Sequence, residues 1–315
     1  MAFIQGFKTD FATLSKAVTE LCDTEESYIV DKAMLTDRLI ESENYTDYGF
    51  KSMGKLIGFP APFVKNVADS NPELAKKIVD DRIVHYFNTV NKDFTVREFG
   101  GKIAGVVSNK YAYFDDDEVM EVIGNSCIKD LAFTNTTVTP ERLHIRALDK
   151  DSFHIVGDDS PMYFAYFIDN SMVGGSAFKV RLGVFRQACT NGLIIPQSEF
   201  VICKQVHRGD KDISSEFNAS IEMINEKRDA IIDILNEATE TKSKIEKLSE
   251  EYRADYLSKR LNTNKAETEK IIMLYNITYG GQTRYALMQA VTEFARDIKD
   301  IDRREFLEAK ALKVA

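Results

Sequence analysis

Five basic side chains alternate along two stretches of this chain and could do one kind of chemistry together. Arg142, His144 and Arg146 alternate in "RLHIRAL", and Lys179 and Arg181 alternate in "SAFKVRLGVFRQA". In an extended strand every second side chain falls on the same face, so each stretch presents a basic row. Rows of this kind suit a phosphate backbone, whose binding is driven largely by counterion release. Phe185 and Tyr111 are the candidates for stacking against bases. Arg186 shares the face of Phe178 to Val184, where a charge needs an acid such as Asp169 or a ligand. The expected nucleic-acid-binding set is therefore Arg142, His144, Arg146, Lys179, Arg181, Phe185, Arg186 and Tyr111. The opposing interpretation is ordinary solvent-facing charge on a half-exposed sheet. Residues 140 to 210 hold eight Lys/Arg and eight Asp/Glu, so the region as a whole is neutral.

Other residue groups suggest chemistry and then lose it. Cys189 in "RQACTNGLIIP" would need a lowered pKa to act as a nucleophile. No glycine-rich elbow surrounds it, and Asn191-Gly192 reads more simply as a turn at a strand end. The run Asp115-Asp116-Asp117 has the look of a metal site, but it fits the start of a helix whose positive end favours acids. Four histidines without paired spacing and four scattered cysteines give no metal motif. There is no phosphate loop, HExxH, GxSxG or post-strand GxGxxG. No catalytic residue, metal or cofactor is expected.

These candidates need elements to hold them. Residues 1–90 read as mostly helical, with apolar positions at helical spacing in "FATLSKAVTEL" and breaks at Pro60, Pro62 and Pro72. The acidic run from Asp23 to Asp47 reads as a solvated helical face. A hairpin is expected about Gly100-Gly101. Residues 91–210 then read as strands and one helix, with "PMYFAYFID" as a covered central strand. Residues 211–315 turn helical, and Ile221, Ile224, Ile231, Leu235 and Ile245 form a heptad-like stripe suited to the core or to a partner. The expected fold is α+β: a mostly antiparallel sheet of about six strands, between an N-terminal helical region and a long C-terminal one.

Composition sets outer limits. A 44% hydrophobic and 29% charged chain of 315 residues is that of a globular protein. No apolar run spans a membrane, no secretory signal is visible, and unpaired cysteines suit a reducing cytoplasm. The net charge of −9 disfavours a nucleic-acid-coated surface but allows a local basic groove.

The stretch "YFAYFIDNSMVGGSAFKVRLGVFRQACTNGLIIP" resembles the phage/plasmid-like protein family, known as domain of unknown function 932. "VVSNKYAYFDDDEVMEVI", "LIGFPAPFVKNV" and the closing "TRYALMQAVTEFARDIKDIDRREFLEAKA" are similar to other parts of that family. The resemblance implies a mobile-element protein in a bacterial cytoplasm. Its element order is reminiscent of Rad52-like single-strand annealing proteins. The expected function is single-stranded nucleic-acid binding or annealing in replication or recombination, with single-stranded DNA as partner. The alternative is an oligomeric protein–protein module that engages or inhibits a host protein. Self-association is expected in either case, and a membrane partner in neither.

Overall fold

The computed structural model describes residues 9–31, 39, 41–90, 92–186, 191–194, 201–205 and 213–315. Among them are α1 (Phe11–Cys22), β1 (Glu25–Val30), α2 (Asp47–Ile57), α3 (Ala61–Ser70), α4 (Pro72–Thr89), β2 (Phe94–Phe99) and β3 (Lys102–Ser108). α5 (Asp116–Gly124), β4 (Ala132–Thr139), β5 (Arg142–Ile155), β6 (Asp158–Asn170), β7 (Phe178–Arg186), β8 (Asn191–Ile194) and β9 (Val201–Gln205) follow. The chain closes with α6 (Ile213–Glu240), α7 (Glu250–Leu261), α8 (Lys265–Met273), α9 (Arg284–Arg296) and α10 (Ile301–Val314). The fold is α+β, and none of the helices is long and apolar enough to cross a membrane.

The strands form two antiparallel sheets. The first has the order β1-β2-β3. Its β2–β3 hairpin turns at Gly100 and Gly101, whose φ values of 54° and 76° suit glycine. The second runs β4-β5-β6-β7-β8, and β9 joins the same edge of β7 as β8. β6 lies between β5 and β7 and is covered on both faces, as its apolar sequence requires.

Three sequence expectations change. Glu25 and Glu26 belong to β1, which is paired to β2, and not to a helical face. Asn191 and Gly192 lie in β8, in register with Arg186 and Phe185, and not in a turn. Cys189 lies outside the described residues. The helical stripe is interrupted after Glu240, and Ile221, Ile231, Leu235 and Ile245 are buried in the chain's own main core.

Two cores result. The larger packs one face of the second sheet against α1, α5 and the C-terminal helices. The smaller packs α2, α3 and α4 against the first sheet, through Phe50, Met53, Ile57, Val64, Val79, Ile83, Phe94, Val96 and Ile103. The β2–β3 hairpin therefore buries one side against the N-terminal helices. Arg97 in β2 links this part to α5, because its guanidinium donates to both carboxylate oxygens of Asp115 at 2.6 and 2.9 Å.

Candidate functional site

The expected basic strand face exists, but it does not reach solvent. α10 crosses it and lays Asp302, Glu305 and Glu308, spaced three residues apart, against the arginines. Arg142 pairs with Asp169 and Glu305 at 3.0 Å each, and with Asp302. Arg181 pairs with Asp169 and, at 2.7 Å, with Glu305. Arg146 is 2% exposed and donates to Glu308, itself 1% exposed, at 2.6 Å. Its guanidinium also lies over the Phe167 ring, 4.9 Å from the centroid. His144 is fully buried, with Nδ1 2.8 Å from Asp169 and 3.3 Å from Glu305.

The electrostatics follow from this packing. Burial opposes the charge on Asp169, but His144, Arg181 and Arg142 outweigh it and hold its carboxyl well below the usual range. Burial raises the Glu308 pKa despite Arg146 beside it. His144, Asp169 and Glu305 also bring three ligand-type atoms within 4.8 Å of one another. They do not fit a resident dication. Both carboxylates already accept from Arg142 and Arg181, so an added cation would face two guanidinium groups.

The other expected residues divide. Phe185 is buried beside Leu148, Ala165 and Phe167, which removes it as a stacking surface. Arg186 does find an acid, Asp158 and not Asp169, through paired bonds of 2.6 and 2.9 Å. The hydroxyl of Tyr285 donates to the same carboxylate at 2.5 Å. Lys179 is half-buried in β7. The expectation that Arg142, Arg146 and Arg181 leave the core is thus corrected. Alternation placed them on one face, and α10 covers that face.

Tyr111 leads elsewhere, to an open groove of about 860 Å³ between α2, β3 and the turn from Ser171 to Ala177. Its walls carry Lys51 and Lys55 from α2, Lys110 and Tyr111 after β3, and Tyr48. Among the described residues, no carboxylate lines it. The three lysines are exposed and form no ion pair among the described residues.

Local sequence explains the walls. α2 starts at Thr46, whose hydroxyl accepts from the Gly49 amide, and ends at Gly58 in the left-handed region. Phe50, Met53 and Ile57 turn inward, leaving Lys51 and Lys55, one turn apart, outside. Gly49 lets the helix press on β3, since a Cβ there would lie 2.0 Å from the Ile103 carbonyl oxygen. The Ser52 hydroxyl accepts from the Val106 amide at 3.1 Å and donates to its carbonyl at 2.8 Å, completing the edge of β3.

The turn is anchored as firmly. Tyr111 donates its hydroxyl to the Ser171 carbonyl at 2.8 Å, which fixes its ring against the groove. Ser171 Oγ accepts from the amides of Val173 and Gly175 at 3.3 and 2.8 Å. Arg97 donates to the Met172 carbonyl at 2.6 Å. Val173 packs under Gly105, where a Cβ would meet the valine Cβ at 2.4 Å. Gly174 has φ +81°, and the Tyr111 ring lies close to where its Cβ would stand.

Sequence reasoning singled out Tyr111 but missed Lys51, Lys55, Lys110 and Tyr48. The available signal was the pair Lys51 and Lys55 on the polar side of an amphipathic helix, with Lys110 directly before Tyr111. Nothing in the spacing placed these segments together.

No curated protein and no solved structure matches this chain. The family model of a domain of unknown function, DUF932, matches residues 104–311, which take in most of β3, Lys110, Tyr111 and the Ser171–Ala177 turn but not α2. The chain therefore belongs to the DUF932 family.

Proposed function

We propose that this protein binds single-stranded nucleic acid in the groove between α2, β3 and the Ser171–Ala177 turn. The observation that carries this reading is the lining: three lysines that form no ion pair among the described residues and two tyrosines, with no carboxylate among the described lining residues. Lysines track phosphates, and tyrosine faces stack on bases without sequence preference. The local positive field offsets a chain of net charge −9, so binding is confined to this region. A single strand suits the groove better than a duplex, because only unpaired bases can turn toward Tyr48 and Tyr111. Annealing during replication or recombination of a mobile element is the process in which we place this binding. It rests on the sequence resemblance.

The test is fluorescence anisotropy with a labelled oligothymidylate at several salt concentrations. Lys51→Glu with Lys55→Glu should lower affinity at least tenfold and flatten the salt dependence. Three phosphate contacts correspond to a log–log salt slope of about −2 for a single strand. Absence of wild-type binding at low salt would sink this reading.

The alternative, a protein-binding module, has its own observation. A second cavity of about 490 Å³ has an apolar floor of Phe50, Val64, Ala75 and Val79, and Glu41, Glu43, Asp69 and Glu73 around it. A basic, partly apolar segment of a partner would be complementary to it. Charge reversal at Asp69 and Glu73 should abolish co-purification with such a partner and leave oligonucleotide binding unchanged.

A further inference from the structure

The groove turn is held from beneath by a polar pair that the proposed binding does not itself use. Asp116, at the start of α5, and Asn170, the last residue of β6, are both fully buried. The Asn170 amide nitrogen donates to the Phe114 carbonyl at 2.9 Å and to Asp116 Oδ1 at 2.8 Å. Reversing the amide would set its oxygen against the Phe114 carbonyl, so this orientation is the one that the surroundings permit. The two remaining atoms, Asp116 Oδ2 and Asn170 Oδ1, are buried without a hydrogen-bond partner among the described residues.

That pattern is informative. In a cyclic carboxyl–carboxamide pair, the amide N–H syn to the carbonyl oxygen bonds one carboxyl oxygen, and the other two oxygens face each other. If Asp116 is ionised, Asp116 Oδ2 and Asn170 Oδ1 are both acceptors, and two buried acceptors go unsatisfied. If Asp116 is the neutral acid, its Oδ2–H donates to Asn170 Oδ1, and one proton satisfies both atoms. Asn170 is followed directly by Ser171, whose carbonyl holds Tyr111 and whose hydroxyl holds the Val173 and Gly175 amides.

We propose that Asp116 is a positioning residue of the groove: as the neutral acid it closes a two-bond ring with Asn170 that anchors the Ser171–Ala177 turn, and its ionisation loosens that anchor. The groove then holds its binding shape at lower pH and loses it as the proton leaves to solvent. The proposal rests on the groove as the ligand site only for its functional consequence.

The charged and titratable surroundings agree. Burial comes first, and the acids Asp115 and Asp117 on the same helix add to it, raising the Asp116 pKa to about 7. The Asn170 amide and Arg97 from β2 act in the opposite direction. Cys22 of α1 also feels Asp116, and its own thiol is pushed up to about 12, so it stays protonated across the relevant range.

The experiment uses the full chain labelled in carbon and nitrogen. The Asp116 carboxyl is assigned in the wild type by through-bond correlation to its own backbone amide, and it and the Gly174 and Gly175 amides are followed by NMR through a pH titration. The expected result is one shared midpoint near neutrality for all three. Oligothymidylate affinity should fall several-fold across that midpoint in the wild type. It should stay level in Asp116→Asn, whose amide donates to Asn170 at every pH. An Asp116 carboxyl ionised throughout the neutral range, or glycine amides that do not follow it, overturns the proposal. The wild-type titration decides this even where the variant fails to fold. Shared titration without oligonucleotide binding would leave the positioning role standing and remove the nucleic-acid ligand.

Discussion

Two basic regions of this molecule, the sheet face under α10 and the groove beside α2, have similar charges and opposite situations. On the sheet face, Arg142, Arg146 and Arg181 meet Asp169, Glu305 and Glu308 in a largely buried layer. In the groove, Lys51, Lys55 and Lys110 stand in solvent without acidic partners among the described residues. Charge type therefore does not distinguish a ligand surface from structural glue. Whether an acid from elsewhere in the chain has already occupied it does. The residue types fit this division: arginine forms several directed bonds to carboxylates inside, while lysine remains a mobile point charge outside.

The sharpest way to break the comparison is to remove one buried partner. Glu308→Ala leaves Arg146 charged and unpaired, which should cost about 3–5 kcal/mol in urea unfolding. By the same logic Arg181→Glu should destabilise the fold strongly, because it would set a third acid beside Asp169 and Glu305. The groove pair Lys51→Glu and Lys55→Glu should move stability by only about 0.5 kcal/mol, since exposed substitutions rarely do more. If the two sets cost the same, the distinction between structural and free basic regions fails.

Acid and base should then separate the regions by sign. The Asp169 pKa is depressed in the fold, so its contribution is present above the unfolded carboxylate pKa and is lost as pH falls below it. Asp116 has the opposite sign, because the fold binds its proton more tightly than the unfolded chain does. Stability should decline from about pH 4 to about pH 7 on its account, by at most about 1.4 kcal/mol per pH unit. Asp116→Asn should remove that slope and leave the acid limb intact, as thermal melts across the pH range would show. A smaller effect is expected at Tyr111→Phe. It keeps the ring and loses the bond to Ser171, for about 1 kcal/mol in stability and a modest loss in oligonucleotide affinity.

Much of the fold was legible because it depends on local pattern. Alternation marked β5 and β7 and put Arg142, His144 and Arg146 on one face, and a continuous apolar run marked β6. The Gly100-Gly101 pair marked the hairpin, and the shift to helix after residue 211 was clear from spacing. The split into two sheets was not legible, because β1 pairs with β2 from across α2, α3 and α4 and its six residues lie in an acid-rich run. The acidic stripe of α10 could be read at Asp302, Glu305 and Glu308. Its destination could not.

What the sequence determined by itself was therefore periodicity and local chemistry: which side chains share a face, where helices begin, and that Tyr111 stands beside a lysine. The tertiary structure alone decided which face meets water. It brought α10 over one basic row and left α2, β3 and the Ser171–Ala177 turn open around another. The physical reason is that a side chain's orientation follows from the backbone within a few residues. Its desolvation and its partners can depend on segments more than a hundred residues away, as Arg146 with Glu308 illustrates.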